Sequence, residues 1–228
     1  METQPNHLPK LTSSEISSLW STYINSSLSQ RIMNHFLKHV EDDDIRRIIE
    51  LCYNISLNNI EYIKRLFSVE KIPIPIAFTD EDVYLNAPRL YTDMFMLSYL
   101  ENLGKAGMIA YGGGTAKSYR KDIRNFFSET LQATTQLYNQ TIDISASKGI
   151  LVRPPYVNYP SETKQVDTQK YISGLSPFNK KRPLNIIEIS YLHENIQTNL
   201  LGAKLALSFA QTTSNKEVQE FMKRGAEI

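Results

Sequence analysis

Residues 12–36 read TSSEISSLWSTYINSSLSQRIMNHF, a segment with the period of an amphipathic helix. Its large apolar side chains recur at steps of three to five residues, which places them along one helical face. They are Ile16, Leu19, Tyr23, Leu28, Ile32 and Phe36. Thr12 and Glu15 have the spacing of a capping box, in which each side chain accepts a hydrogen bond from a backbone N–H. The segment therefore predicts a long helix that begins at Thr12.

A second apolar stripe follows after only a few residues. It runs from Ile45 to Phe67, and three acidic residues, Asp42–Asp44, precede it. Their negative charge suits the positive end of a helix dipole. Because the connection between the two stripes is short, we expect the two helices to pack antiparallel.

Proline interrupts the helical pattern between Lys71 and Pro88, where three prolines alternate with apolar residues. The apolar residues expected to anchor this segment to the protein are Ile72, Ile74, Ile76 and Phe78. An extended chain of about 18 residues reaches about 59 Å. We therefore predict an extended strap that can run the full length of a helical bundle.

Two further stripes follow the strap, over about residues 90–108 and about residues 118–144, and Lys148–Gly149 is a plausible stop for the second of them. Two short connections on either side of one long connection are typical of ferritin-like bundles. The sequence therefore predicts an all-α fold, a ferritin-like four-helix bundle with its long crossover between helices two and three.

The chain then repeats its beginning. At a constant offset of 173 residues, Thr12 and Glu15 correspond to Asn185 and Glu188, a second capping pair. The apolar positions of the first helix correspond to a second complete stripe. That stripe consists of Ile189, Leu192, Ile196, Leu201, Leu205 and Phe209. We therefore predict an internal duplication.

These patterns predict four regions along the chain. Residues 1–10 are a flexible tail, residues 11–149 the four-helix bundle, and residues 150–183 a proline-rich connector. Residues 184–228 are the start of a second, incomplete repeat, one helix and a half long. Half a bundle cannot bury its own apolar face, so either the chain is truncated or a partner completes it. We expect a protein partner, or self-association through this incomplete repeat.

Distinctive motifs lie outside the predicted helices. They are IPIPIAFTDEDV at 72–83 with LNAPRL at 85–90, KGILVRPPY at 148–156, and KRPLN at 181–185. In these motifs the chain resembles a bacterial family known as the domain of unknown function 3231 family, and the resemblance covers nearly the whole chain. It implies tandem ferritin-like bundles, an occurrence mainly in endospore-forming bacteria, and no established activity.

Composition excludes several classes of partner. Twenty-five basic residues balance 24 acidic ones, so no global charge favours nucleic acid. No uninterrupted apolar stretch approaches the roughly 18 residues of a membrane span, so we expect no membrane partner. The single Cys52 cannot form an internal disulfide, and the N-terminus lacks the pattern of a secretory signal. We therefore expect a cytoplasmic protein.

A di-iron oxidase is the most tempting enzyme interpretation of a ferritin-like bundle. That site requires Glu-x-x-His on two helices, because this spacing aims a carboxylate and an imidazole at one metal pair. Glu50, Glu61 and Glu129 each lack a histidine three positions later, and Glu101 is the only acid in the middle of the third stripe. We therefore expect no catalytic residues and no cofactor.

His35 and His39 are the weak candidates for a metal site. They are four residues apart, so their rings can share a helical face and hold zinc together with Glu41 or Asp42. A stable zinc site needs three or four ligands, so we favour a pair of surface histidines. His193 in the repeated helix is interpreted as a core or interface imidazole.

The Gly112–Gly114 run before Lys117 invites comparison with a phosphate-binding loop. Ala116, however, stands where that loop requires glycine, and the run follows a helix rather than a strand. We expect Gly104, Gly107 and the Gly112–Gly114 run to allow a close helix contact and then to loosen the end of the third helix.

Three other features have unremarkable interpretations. Cys52 falls on an apolar stripe and predicts an inert, buried thiol. Lys180–Arg182 is a short basic cluster in the connector, which predicts a solvated segment. Four tyrosines around the third helix are compatible with core packing or with a protein-binding surface. They are Tyr84, Tyr91, Tyr99 and Tyr111.

The leading functional hypothesis is a non-catalytic structural or protein-interaction protein, associated with sporulation through the family resemblance. One alternative is a metal-dependent redox or metal-storage protein that uses an unorthodox carboxylate cluster. A further alternative is a small-molecule or lipid binder that uses the interior of the bundle. A closed core without a cavity would count against this last hypothesis.

Overall fold

A computed structural model describes residues 9–159, 161–163, 165 and 183–227 of the chain. Within these ranges the secondary structure is helical and contains no strand. This confirms the all-α fold class. The chain divides into two compact units, Met1–Leu151 and Val152–Ile228.

The first unit is a ferritin-like four-helix bundle. Its helices are α1 (Ser13–His39), α2 (Asp43–Glu70), α3 (Asp93–Ala116) and α4 (Lys121–Ser147). The helices α1 and α2 pack together as one hairpin, α3 and α4 as the other, and α2 also packs against α4. A long crossover connects α2 to α3 and contains a short 3-10 helix at Asp80–Asp82.

Local hydrogen bonds explain where the helices of the first unit begin and end. The capping box predicted at Thr12 and Glu15 is present, and the Asp42 carboxylate accepts hydrogen bonds from backbone N–H groups at the start of α2. Lys71 ends α2 with a φ of 58°, and Gly149 follows the end of α4 with a φ of 69°, a left-handed conformation that glycine adopts freely.

The predicted apolar stripes of α2 and α4 form much of the core. One cluster joins the N-terminal half of α1, the C-terminal half of α2 and the beginning of α4. Its buried members are Leu19, Tyr23, Ile60, Ile63, Phe67, Ile123, Phe126 and Phe127. Burying this many large side chains, at about 25 cal/mol per Å² of apolar surface, is the main stabilising term of the bundle.

Two sequence predictions about the middle of the chain need correction. In the strap, Ile74 is 46% exposed, Phe78 is 40% exposed and Ile76 is fully exposed, whereas Ile72 and Ala77 pack against the core. The alternation of an extended chain therefore turns three of the four expected anchors outward. The third helix also does not loosen at its glycines, because α3 continues through Gly112–Gly114 to Ala116.

The second unit contains a helical hairpin. It consists of α5 (Ile186–Thr212) and α6 (Lys216–Glu227), which pack against each other, and Asn185 with Glu188 forms a second capping box. Many large apolar side chains of this hairpin are exposed. They include Ile187, Tyr191, Leu192, Ile196, Leu200, Phe209 and Phe221. Most of the predicted connector and tail lies outside the described residues.

Candidate functional site

A cavity of about 560 Å³ opens between the four helices of the first unit. This volume is within the range of about 300–1,000 Å³ that is typical of small-molecule sites. The helix α1 lines it with polar side chains, and α3 lines it mainly with small and aliphatic ones. The polar residues from α1 are Ser17, Ser18, Ser21, Thr22, Asn25, Ser26 and Ser29. The cavity thus has a hydrogen-bonding wall and a mainly apolar wall.

Two glycines explain why there is space beside α3. A Cβ atom at Gly107 would lie 2.9 Å from Cγ2 of Thr134, and one at Gly114 would lie 2.7 Å from the ring of Phe127. Such distances are too short for a side chain, so these positions let α3 pack directly on α4. The helices α1 and α3 touch at fewer positions, and the cavity lies between them.

Asn59 of α2 is the centre of a buried polar cluster beside the cavity. Its Nδ2 donates to Oγ of Ser26 at 3.3 Å and to the Tyr111 hydroxyl at 3.4 Å. Its Oδ1 accepts a hydrogen bond of 3.1 Å from Oγ1 of Thr130. These bonds connect all four helices through side chains, and they compensate the cost of burying an amide.

A second polar group lies farther along α1. The Ser56 hydroxyl donates to Oγ of Ser29 at 3.0 Å, and Sγ of Cys52 lies 3.7 Å from the same oxygen. Burial raises the pKa of the Cys52 thiol to about 11, which keeps the thiol protonated at neutral pH. The cysteine is therefore an unreactive part of the cavity wall, as its place on the apolar stripe predicts.

Two tyrosines of α3 also line the cavity with uncharged groups. Burial raises the pKa of Tyr99 and of Tyr111 to about 12, so both phenols remain neutral hydrogen-bond donors at physiological pH. Of the four tyrosines noted in the sequence, these two line the cavity, Tyr91 stacks on Phe95 and Tyr84 is exposed.

Thr134 on α4 carries a polar atom without a partner. Its side chain lines the cavity and is 3% exposed, and its Oγ1 has no hydrogen-bond partner among the residues that the structure describes. A buried hydroxyl that is left unsatisfied costs about 1–3 kcal/mol. This atom is therefore the feature of the cavity that a ligand could satisfy.

The two histidines proposed as weak metal ligands do lie together. The rings of His35 and His39 have centroids 4.7 Å apart, and Nε2 of His39 lies 3.0 Å from the carbonyl oxygen of Ala87. His35 is buried rather than on the surface. Its burial lowers its pKa, and the neighbouring His39 lowers it to a smaller extent. Glu41 instead pairs with Arg89, and the Asp42 carboxylate pairs with Lys148 and caps α2.

The glutamates considered for a di-iron site are exposed or form an ion pair with a basic residue. Glu50, Glu61 and Glu129 are exposed, and Glu101 pairs with Lys105 at 2.6 Å. Across the described ranges, no three histidine, cysteine, aspartate or glutamate side chains lie together as metal ligands would. Nor is any helix in those ranges long and apolar enough to cross a membrane.

Two sequence candidates lie beyond the first unit along the chain, His193 and the basic cluster Lys180–Arg182. His193 is partly exposed on α5, and Lys180–Arg182 lies outside the described residues. The sequence pattern did not predict that several serines of α1 are buried, because a hydroxyl next to an apolar stripe is typical of a solvated face. One available signal was their number, since six serines and threonines occur between Ser17 and Ser27 of α1.

Comparisons with known proteins found a matching family and two similar solved structures. A family described as "Protein of unknown function (DUF3231)" matches residues 3–163 and 172–228, which confirms the resemblance inferred from the motifs. A crystal structure from Bacillus halodurans C-125, described as a proposed spore coat protein, has a TM-score of 0.59 at 18% identity and covers 66% of this chain and 98% of its own. A conserved hypothetical protein from Mycobacterium tuberculosis has a TM-score of 0.49 at 11% identity and covers 65% and 98%. Among curated proteins, none matches this chain.

Proposed function

We propose that this chain, which belongs to DUF3231, a family of proteins of unknown function, is a non-catalytic structural protein that self-associates through its second unit. The observation that carries this proposal is the uncovered apolar face of the α5–α6 hairpin. We call the exposed apolar side chains at Leu192, Ile196 and Phe209 the open face.

The open face occupies the positions that form the core of the first unit. Leu192 is 46% exposed and Phe209 is 49% exposed. Their counterparts at the offset of 173 residues, Leu19 and Phe36, are 0% and 1% exposed. In the first unit a second hairpin, α3–α4, packs against the hairpin that carries these residues. The open face therefore has the pattern of a bundle surface that awaits a second hairpin.

A second copy of this chain is the occupant that we propose. A four-helix bundle needs two hairpins, and each copy supplies one whose apolar face is uncovered. Two copies related by a two-fold axis would cover both faces with the same surface, which is the commonest symmetry of homo-oligomers. Each side chain of the open face is already about half buried, so completing its burial would contribute about 0.7–1.5 kcal/mol before the costs of association.

We further propose a role in spore formation. The family resemblance implies endospore-forming bacteria, and one structural relative is described as a proposed spore coat protein. This role predicts that the protein accumulates in sporulating cells and is scarce in vegetative cells of its source organism. The cytoplasmic location expected from the sequence stays a prediction.

Self-association is tested by size-exclusion chromatography with light scattering over a range of concentrations. We expect the full chain to form a dimer and Leu192→Asp to be a monomer. The matched control is Ile76→Asp, which changes a fully exposed isoleucine of the strap and should leave the dimer intact. A full chain that is monomeric at every concentration would refute the proposal, as would a dimer that Leu192→Asp leaves unchanged.

A small-molecule binder is the second candidate function, and the cavity in the first unit favours it. A closed core would have counted against this hypothesis, and the bundle instead has an open space of about 560 Å³ with an unsatisfied hydroxyl. The metal-dependent alternative has no comparable support, since its candidate carboxylates are exposed or paired with basic residues.

A further inference from the structure

The cavity in the first unit limits the chemistry of any ligand through the charges on its walls. One charged residue, Lys117, lines it, and that residue is exposed. The other lining groups are hydroxyls, phenols, a thiol, an amide and aliphatic side chains. Away from Lys117, a charged ligand group inside would lose its hydration without meeting an opposite charge, which costs several kcal/mol. The buried part of the site therefore favours an uncharged ligand.

The two long walls impose a second condition. The polar wall runs along α1 from Ser17 to Ser29, a distance of about 18 Å at 1.5 Å per residue. The opposite wall on α3 presents Leu103, Ile109 and Ala110. A ligand that satisfies both walls carries hydroxyl or carbonyl groups and also an apolar part.

Thr134 is an independent indication of a ligand. Its Oγ1 is buried and has no hydrogen-bond partner in the part of the chain that the structure describes, and the residue belongs to the cavity wall. A hydroxyl in an α-helix ordinarily donates to the carbonyl four residues earlier, as Thr135 does to Leu131 at 2.8 Å. Thr134 differs from Thr135 in this respect, so its hydroxyl lacks a hydrogen bond that a bound molecule could supply.

We propose that the cavity binds a neutral, hydroxyl-bearing amphiphile of drug-like size, with its polar groups toward α1 and Thr134 and its apolar part toward α3. This inference rests on the second candidate function and names its ligand class. It is independent of self-association through the open face, which lies in the other unit.

The experiment compares three amphiphiles with the same alkyl chain, each below its micellar concentration. They are octyl β-glucoside, which is neutral, octyl sulfate, which is anionic, and octyltrimethylammonium, which is cationic. Binding to the full chain is measured by isothermal titration calorimetry and by chemical-shift changes of the amides of α1 and α3. We expect the neutral glucoside to bind at least tenfold more tightly than either charged compound, with shifts confined to the cavity walls.

Two pairs of variants locate the site. Ala110→Phe fills the cavity from its exposed edge and should abolish binding of the glucoside, whereas Ala116→Phe changes an exposed alanine of the same helix outside the cavity and should not. Thr134→Val keeps the shape but removes the hydroxyl, and should weaken binding about three- to tenfold. Thr141→Val, which removes a buried hydroxyl that donates to Leu137 and lies outside the cavity, should leave binding unchanged.

The outcomes separate this inference from the function on which it rests. If a charged amphiphile binds as tightly as the glucoside and Ala110→Phe abolishes that binding, the cavity is a binding site but the proposed ligand class is wrong. If no amphiphile binds, or if Ala110→Phe and Ala116→Phe bind equally well, the small-molecule function itself is refuted.

Discussion

The side-chain carboxylate of Glu15 accepts a hydrogen bond of 2.8 Å from the backbone N–H of Arg120, 105 positions later in the chain. The same oxygen accepts from the N–H of Tyr119 at 2.8 Å, while the other oxygen accepts from the N–H of Thr12 at 2.7 Å. Arg120 is the N-cap of α4 and makes no capping hydrogen bond with its own side chain. One buried carboxylate therefore caps two helices and fixes the start of α1 against the start of α4.

Replacing Glu15 with glutamine should destabilise the first unit in a pH-dependent way. Burial raises the pKa of Glu15, but the hydrogen bonds from Arg120, Thr12 and Tyr119 together lower it by more. The pKa of Glu15 is therefore below its ordinary value. A lowered pKa in the folded state means that the stabilisation is complete above the unfolded value of about 4.3 and is lost as the pH falls through the folded value. We expect Glu15→Gln to cost about 1–3 kcal/mol at pH 7.

Urea unfolding of both proteins from pH 7 to pH 3 measures this effect. The difference between the wild type and Glu15→Gln should shrink below about pH 4, where Glu15 of the unfolded chain becomes protonated. Glu50→Gln, a change of an exposed glutamate on α2, serves as the control. A constant difference across this pH range would contradict the role of the charge.

Local features of this fold could be predicted, and long-range ones could not. The reciprocal bonds between Thr12 and Glu15 involve neighbours along the chain, so their residue types and spacing suffice to predict the cap. The bonds from Glu15 to the start of α4 depend on how the helices pack, and one helix contains no information about its neighbour's position. The helical stripes were predictable for the same reason as the cap, because their period is local.

The cavity was unpredictable for a related physical reason. Ser26 and Ser29 are nearly fully buried although serine is ordinarily exposed, because α3 packs on α4 at Gly107 and Gly114 and leaves space beside α1. The sequence predicts a close contact at the glycines but does not identify the partner helix. Thr134, whose importance lies in a missing hydrogen bond, has no signature in the sequence at all.

Two glycines of α3 should respond in opposite ways to alanine. Alanine favours a helix over glycine by roughly 0.5–1 kcal/mol, and at Gly112 no atom lies within 4 Å of the new Cβ. Gly112→Ala should therefore raise the free energy of unfolding by about that amount. At Gly114 the Cβ would lie 2.7 Å from the buried ring of Phe127, so Gly114→Ala should lower it by about 1–3 kcal/mol. Thermal and urea unfolding of the two variants measure the signs, and equal signs would contradict the close packing of α3 on α4.

Removing the hydroxyl of Thr134 should not destabilise the protein. Valine has the same shape, and the hydroxyl that it removes is buried without a partner among the described residues. We therefore expect Thr134→Val to be neutral or to raise the free energy of unfolding by up to about 3 kcal/mol in the absence of ligand. Thr141→Val, which loses a hydrogen bond of 2.8 Å to Leu137, should cost about 0.5–1.5 kcal/mol. A larger loss for Thr134→Val than for Thr141→Val in urea unfolding would show that the Thr134 hydroxyl is satisfied in solution.

Leu19 and Leu192 occupy corresponding positions in the two units but should differ in their response to truncation. Leu19 is 0% exposed, so Leu19→Ala leaves a cavity and should cost the first unit about 2–5 kcal/mol. Leu192 is 46% exposed in the single chain, so Leu192→Ala should change the stability of the second unit by less than about 0.5 kcal/mol when the protein is dilute.

Hydrogen exchange of the amides of α1 and α5 follows the two units separately. If a second copy covers the open face, the cost of Leu192→Ala should grow with protein concentration, whereas that of Leu19→Ala should not. A cost for Leu192→Ala that is large at every concentration would show instead that this leucine is already buried within one chain.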